Sequence, residues 1–229
     1  FSQRPLSQSA THLLFTRALG FSPAGHRWRN LRRLDATHLF SPRRIAAHEA
    51  LRQLHTTDML HTMAATAASS SSSRNNAIEM RPFLQHAALN NIMGTVFGKR
   101  YTYSSSAIPN ADPAERSEEE QEERREAEEV QSMVREGFEL LGAFNMSDHL
   151  PSAFQSLDPL RIVQRCRELV PRVYAFVQKI IDDHRSAGVH VANYSSSSSF
   201  VDVLLHLQEE EKLADSDIVS VLWVSKFPL

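Results

Sequence analysis

Trp28-Arg29-Asn30-Leu31-Arg32-Arg33 is the stretch that decides how this chain folds and what it can bind. Its apolar positions recur at helical spacing, and a helix is predicted from about Arg27 to Leu39. On that helix Trp28 and Arg32 are four residues apart and share one face. An indole N–H beside a permanently charged planar fork is a good match for a carboxylate in a half-buried site.

Moving outward, Ser41-Pro42 restarts the backbone, with serine as N-cap and proline at the first helical position. One long helix is expected from there through Ile45, Leu51, Leu54, Met59 and Met63. Ser69 to Ser73 reads as a break. Ile78 to Arg81 is expected to be extended, because Pro82 disfavours helix at the residue before it. Phe83, Leu84, Ala87, Leu89, Ile92, Met93 and Phe97 pattern the next helix, which ends near Gly98. Tyr101 to Pro113 reads as a loop.

The acidic run from Glu115 passes into a helix with Val130, Met133, Val134, Phe138, Leu140 and Leu141 on its apolar side. Asn145 to Phe154 is turn-rich. Asp158-Pro159 is expected to open a helix whose core stripe is Leu160, Val163, Cys166, Val170, Val173, Val177 and Ile180, with a kink or break at Pro171 and an end at Gly188. Two short helices follow, Phe200 to Leu207 and one capped by Asp215 that carries Ile218, Val219, Leu222 and Trp223. With only 7 glycines in 229 residues, the fold class is mainly α with little β, and the serine tracts are loop expansions.

Hydrophobic residues make up 41% and charged residues 23%, the balance of a globular chain, and a net charge of −2 excludes a general polyanion binder. The charge is uneven. Residues 1–55 hold nine arginines against Asp35 and Glu49, whereas residues 115–129 hold nine glutamates against three arginines. The basic end sits among Trp28, Leu31 and Leu34, which favours a buried acidic ligand over nucleic acid, for which no binding motif is present. The acidic run reads as a solvated helix start. A lone Cys166 excludes an internal disulfide and a multi-cysteine zinc site. No apolar run reaches membrane-spanning length. A first residue of Phe rather than Met suggests that the natural start, with any targeting or anchor segment, lies outside this sequence.

Several stretches, in order, resemble the plant A-type cytochrome P-450 monooxygenases, nearest the 78A subfamily. Phe1-Ser2-Gln3-Arg4-Pro5 resembles that family's F-x-x-R-P, and Gly20-Phe21-Ser22-Pro23-Ala24-Gly25 its F-A-P-Y-G turn. Trp28 to Arg33 is similar to W-R-x-L-R-R, and His38-Leu39-Phe40-Ser41-Pro42 to H-L-F-S-P. Gly137 to Asn145 followed by Asp148-His149-Leu150-Pro151 is similar to G-x-F-N-x-x-D-H-L-P, and Phe200 to Leu205 to F-V-D-V-L-L.

The resemblance covers nearly the whole chain. It implies one partial domain over residues 1–229, running from about helix B to the start of helix I. It implies that Trp28 and Arg32 hold a haem propionate. It further implies a haem-thiolate monooxygenase that inserts one oxygen atom into a small apolar substrate, fatty-acid-like in this subfamily. NADPH–cytochrome P-450 reductase would be the electron donor and the endoplasmic reticulum membrane the location. Phe15–His26 and Phe138–Phe154 would line or cover the substrate pocket.

The chain also departs from the family. After Val221-Leu222-Trp223 comes Val224-Ser225-Lys226-Phe227-Pro228-Leu229, unlike the oxygen-activating helix. The Glu-x-x-Arg brace and the cysteine loop are absent, so no catalytic residue and no metal ligand is assigned. Cys166 lies on an apolar helical stripe and is expected to be a packed core thiol. The expectation is a truncated monooxygenase, inactive as this polypeptide. The rival is a non-enzymatic helical protein that binds partners through the acidic helix or through the stripes of Leu160 and Ile218, left uncovered. His55, Asp58 and His61 at steps of three offer no third or fourth metal ligand and read as a partly exposed polar stripe.

Overall fold

In a computed structural model, the residues described are 7–17, 19–69, 78–101, 117–149, 158–186, 198–208 and 213–224. Among them are nine α-helices and no strand: α1 (Gln8–His12), α2 (His26–His38), α3 (Pro42–Ala47), α4 (Glu49–Ser69), α5 (Met80–Phe97), α6 (Glu118–Gly142), α7 (Ile162–Ser186), α8 (Phe200–Leu207) and α9 (Asp215–Val224). Single 3-10 turns lie at Phe15–Arg17 and Met146–His149. The mainly α expectation holds.

The core is built where apolar stripes of several helices meet. α7 contributes Cys166, Leu169, Val173, Val177, Ile180 and Ile181, and α6 contributes Ala127, Val130, Met133 and Leu140. These two 25-residue helices pack along each other, with α1 and α9 laid against α7. Trp223, Phe200, Phe97 and Phe15 are the large side chains sealed among them. Each such side chain taken out of water contributes roughly 1.5–3 kcal/mol.

Several expectations need correction. The single helix foreseen after Pro42 is two: α3 stops at His48 (φ −91°, ψ 9°), and α4 restarts at Glu49. Arg44 is buried and donates to two carbonyls, His38 at 3.0 Å and Ser198 at 2.6 Å, which ties α3 to the end of α2 and to the segment before α8. Arg81 is helical, not extended. α5 begins at Met80, so Pro82 falls in the first turn, where N–H groups have no intrahelical partner to lose.

α7 begins at Ile162 rather than at Pro159. Arg161 takes φ +53°, and Asp158 reaches forward to accept from the N–H groups of Ile162 (2.7 Å) and Gln164 (3.1 Å). Leu160 is therefore 62% exposed and does not belong to the core stripe. Pro171 sits inside one continuous helix. It lies on the exposed side of that helix. Phe138 is exposed on α6 although expected on the apolar side. Asp215 is the first residue of α9 rather than its cap, and it pairs with Arg185 at 2.9 Å.

Other expectations agree with the structure. α8 spans Phe200–Leu207, opened by a capping box of Ser199 and Asp202, and α5 ends at Gly98 in the left-handed conformation (φ 66°). The acidic helix is solvated at its start, again behind a capping box, Ser117 with Glu120. The stripe of Ile218 is not left uncovered: Ile218, Val219 and Leu222 are fully buried. The expectations for 70–73, 102–113, 150–154 and the stop at Gly188 lie outside the described residues, as do Phe1 to Pro5.

Candidate functional site

α2 is an unusual helix end. Its N-cap, Gly25, supplies no side-chain hydrogen bond, and its first turn has no acidic residue but carries His26, Arg27 and Arg29. Cations at a helix N-terminus oppose the macrodipole. The missing negative charge comes from another helix: the carboxylate of Asp217 on α9 accepts from Arg27 Nη2 at 2.6 Å and lies 3.6 Å from Arg17 Nη1. Arg17 also donates to Ser216 Oγ at 2.8 Å, and Arg27 to the carbonyl of Arg17 at 3.3 Å. The start of α2, the Phe15–Arg17 turn and the start of α9 are thus pinned at one point.

One turn on, Trp28 and Arg32 do share a face. The Arg32 guanidinium carbon lies 5.2 Å from the Trp28 ring centroid, a cation–π contact. Trp28 is half-buried and Arg32 exposed, while Leu31 and Leu34 turn inward. Among the described residues no carboxylate pairs with Arg32. A guanidinium over an indole, with no described carboxylate paired to it, has the donors that a planar carboxylate accepts from. Asp35, on the same helix, is buried with Oδ1 unpartnered, and burial raises its carboxyl to about 6.

Cys166 is fully buried, and its thiol is pushed up to about 11, first by burial and then by Asp158. It packs as a core side chain, as expected. His55, Asp58 and His61 are not brought together. His55 is 2% exposed, not part of an exposed stripe. Asp58 pairs with Arg100, and His61 faces solvent. Among the described residues no group of three or more His, Cys, Asp or Glu could hold a metal ion.

Two polar clusters escape sequence reasoning. Asn90 closes a two-bond clasp on the Tyr101 backbone (2.9 and 2.7 Å), while the Tyr101 hydroxyl donates to Glu126, which also pairs with Lys99 at 2.9 Å and Lys179 at 3.5 Å. The second lies beside an open cleft of about 660 Å³ between α4, α5, α7 and α8. There Ser199, Asp202 and His184 converge. Asp202, not the histidine, stands in the middle: its Oδ2 accepts from Ser199 Oγ at 2.6 Å, and its Oδ1 lies 3.7 Å from His184 Nε2. Among the described residues no hydrogen bond joins the serine to the histidine, and the serine–aspartate pair is the capping box of α8, not a nucleophilic triad. The Ser-x-x-Asp pattern was the one signal available for it in the sequence.

Among the described residues the body is helical with no strand and carries an arginine–tryptophan pair on one outer face, and it defines a class when set beside known proteins. The sequence profile of the Cytochrome P-450 family matches residues 1–224, and the chain belongs to that family. It is 52% identical over 223 residues to cytochrome P-450 78A11 of Oryza sativa subsp. japonica, which covers 97% of this chain and 37% of that protein. It is 48% identical to cytochrome P-450 78A1 of Zea mays, covering 99% of this chain and 38% of that protein. An isoflavone 3'-hydroxylase of Medicago truncatula is similar at 27% identity over 87% of this chain. The chain spans less than two-fifths of the length of these relatives.

Proposed function

We propose that these 229 residues form the propionate-binding part of a haem-dependent monooxygenase that acts on a small apolar substrate, with a fatty-acid-like molecule as the first class to test. The family match over residues 1–224 and the Arg32 fork on the Trp28 indole, paired with no carboxylate among the described residues, together support this reading. Bound haem would supply oxygen activation. This chain would supply orientation: Arg32 and the Trp28 N–H would hold a carboxylate at the porphyrin edge, where a buried acid needs a charged, multi-donor partner. NADPH–cytochrome P-450 reductase is the proposed electron donor and the endoplasmic reticulum membrane the proposed location. No described helix is long and apolar enough to cross a membrane.

Thiolate ligation is what drives O–O cleavage in this chemistry. Cys166, the one cysteine, is sealed in the core with its thiol raised to about 11, so it is unsuited to ligate iron. We therefore propose that this polypeptide alone performs no oxygenation. The test is a reduced, carbon-monoxide-treated spectrum of the 229-residue protein, alongside the transcript read in frame past the codon for Trp223. No thiolate-type Soret band from the protein, and a glycine-rich loop with a cysteine encoded downstream, are expected. A thiolate-type band from these residues alone would overturn the inactivity. A message with no such loop would overturn the monooxygenase reading.

A further inference from the structure

We infer that Asp217 is a positioning residue for the Trp28–Arg32 carboxylate site, acting through Arg27; this rests on the propionate reading above. The other anchors of α2 lie beyond its first turn. They are the buried Leu31, Leu34 and Asp35 and, at the far end, the His38 carbonyl, which accepts from Arg44 Nε at 3.0 Å. That turn bears three basic side chains, no acid and no side-chain cap. The Asp217 carboxylate, only 17% exposed, is where the turn is held: Arg27, next to Trp28 in sequence, donates to it at 2.6 Å. Arg17 approaches the same carboxylate from the preceding segment. α9 is itself immobilised, because Ile218, Val219, Leu222 and Trp223 are buried in the core and Asp215 is tied to Arg185 on α7.

The chain of cause runs from a fixed helix, through one carboxylate, to the residue beside the indole. A rigid-body rotation of α2 would carry Trp28 and Arg32 together, so their mutual stacking would survive while their aim at a ligand would change. The carboxylate of Asp217 also does for the α2 dipole what an acidic first turn would do. In this role it touches no ligand and contributes only by direction.

The experiment is a hemin titration of the 229-residue chain, followed in the Soret region, with D217N, D217E, R32A and R185A. R185A is the structural control, because it releases the same end of α9 from α7 without touching Arg27. Expected are weakening of hemin binding by about three- to fivefold for D217N, from an ion pair and dipole contribution of ordinary size, restoration by D217E, and no change for R185A. Hydrogen exchange at the Arg29 amide, which bonds the Gly25 carbonyl at 3.1 Å, should speed up in D217N and not in R185A. If R32A weakens binding while D217N does not, the positioning role is overturned and the propionate reading stands. Equal weakening by D217N and R185A also overturns it, since that is general loosening of α9. If R32A changes nothing, or the unaltered chain shows no saturable binding, both fall together.

Discussion

The Arg32 guanidinium rests over the Trp28 indole, 5.2 Å from its centroid and one helical turn away on the outer face of α2. The stack matters because it restricts a long side chain before any ligand arrives, so less rotamer entropy is lost on binding. The carboxylate contact proposed above would use the N–H donors of the same fork. The same helix buries Asp35, whose Oδ1 has no partner among the described residues, and the two features can be tested separately.

Asp35→Asn should stabilise the fold near neutral pH. The Asp35 carboxyl is raised from 3.8 to about 6 by burial. Ionising it therefore destabilises the native state as pH climbs through about 6, and below about 3.8 the effect is gone. The amide keeps the shape and removes the charge. Thermal unfolding should show a gain of up to about 3 kcal/mol at pH 7.5 that vanishes by pH 4. An equal effect at both pH values would contradict the buried-carboxylate account.

Acid should weaken the α4–α5 contact. His48, His55 and His86 are all buried, and desolvation holds each below the usual histidine range of 6.5. Groups depressed in this way contribute stability above 6.5 that is lost as pH falls through their folded-state values. His55 is the clearest case, since neither ring nitrogen has a partner among the described residues. His55→Met, similar in volume, should raise stability by about 1–2 kcal/mol and flatten the acid limb of a stability-against-pH curve. A variant as acid-sensitive as the parent would assign that limb to other groups.

Gly98→Ala should cost about 1–2 kcal/mol in denaturant unfolding. The residue sits at φ 66°, and an added Cβ would stand 3.4 Å from Ser199 Cβ and 3.6 Å from His184 Nε2. Asn, which tolerates the left-handed region, should recover part of the loss if the backbone strain dominates. No recovery would point to crowding against α8.

Cys166 should be silent toward iodoacetamide at pH 8 in the folded chain and react on unfolding in urea. Full burial and a thiol at about 11 leave almost no accessible thiolate. Rapid alkylation of the native protein would place the thiol at a surface the structure does not give it.

How much of this was legible beforehand depended on whether a residue's neighbours lie nearby in sequence. The α7 stripe through Cys166, Val173, Val177 and Ile180, the span of α8 and the glycine stop of α5 are local patterns, and they read correctly. The α3–α4 break did not, because it depends on Arg44 reaching the carbonyl of Ser198, 154 residues away. Leu160 was misplaced because Asp158 caps α7 from farther back than the usual position, through a left-handed Arg161. At the site, the pairing of Trp28 with Arg32 follows from i,i+4 spacing alone. The hold of Asp217 on Arg27 joins residues 190 apart, and no local pattern could announce it.

The most direct test of the propionate-binding reading is hemin titration of the chain with Arg32→Ala. A charged, multi-donor contact to a carboxylate is expected to be worth at least about tenfold in dissociation constant, with Arg32→Lys in between. An affinity unchanged within about twofold, the range of an ordinary surface substitution, would contradict it.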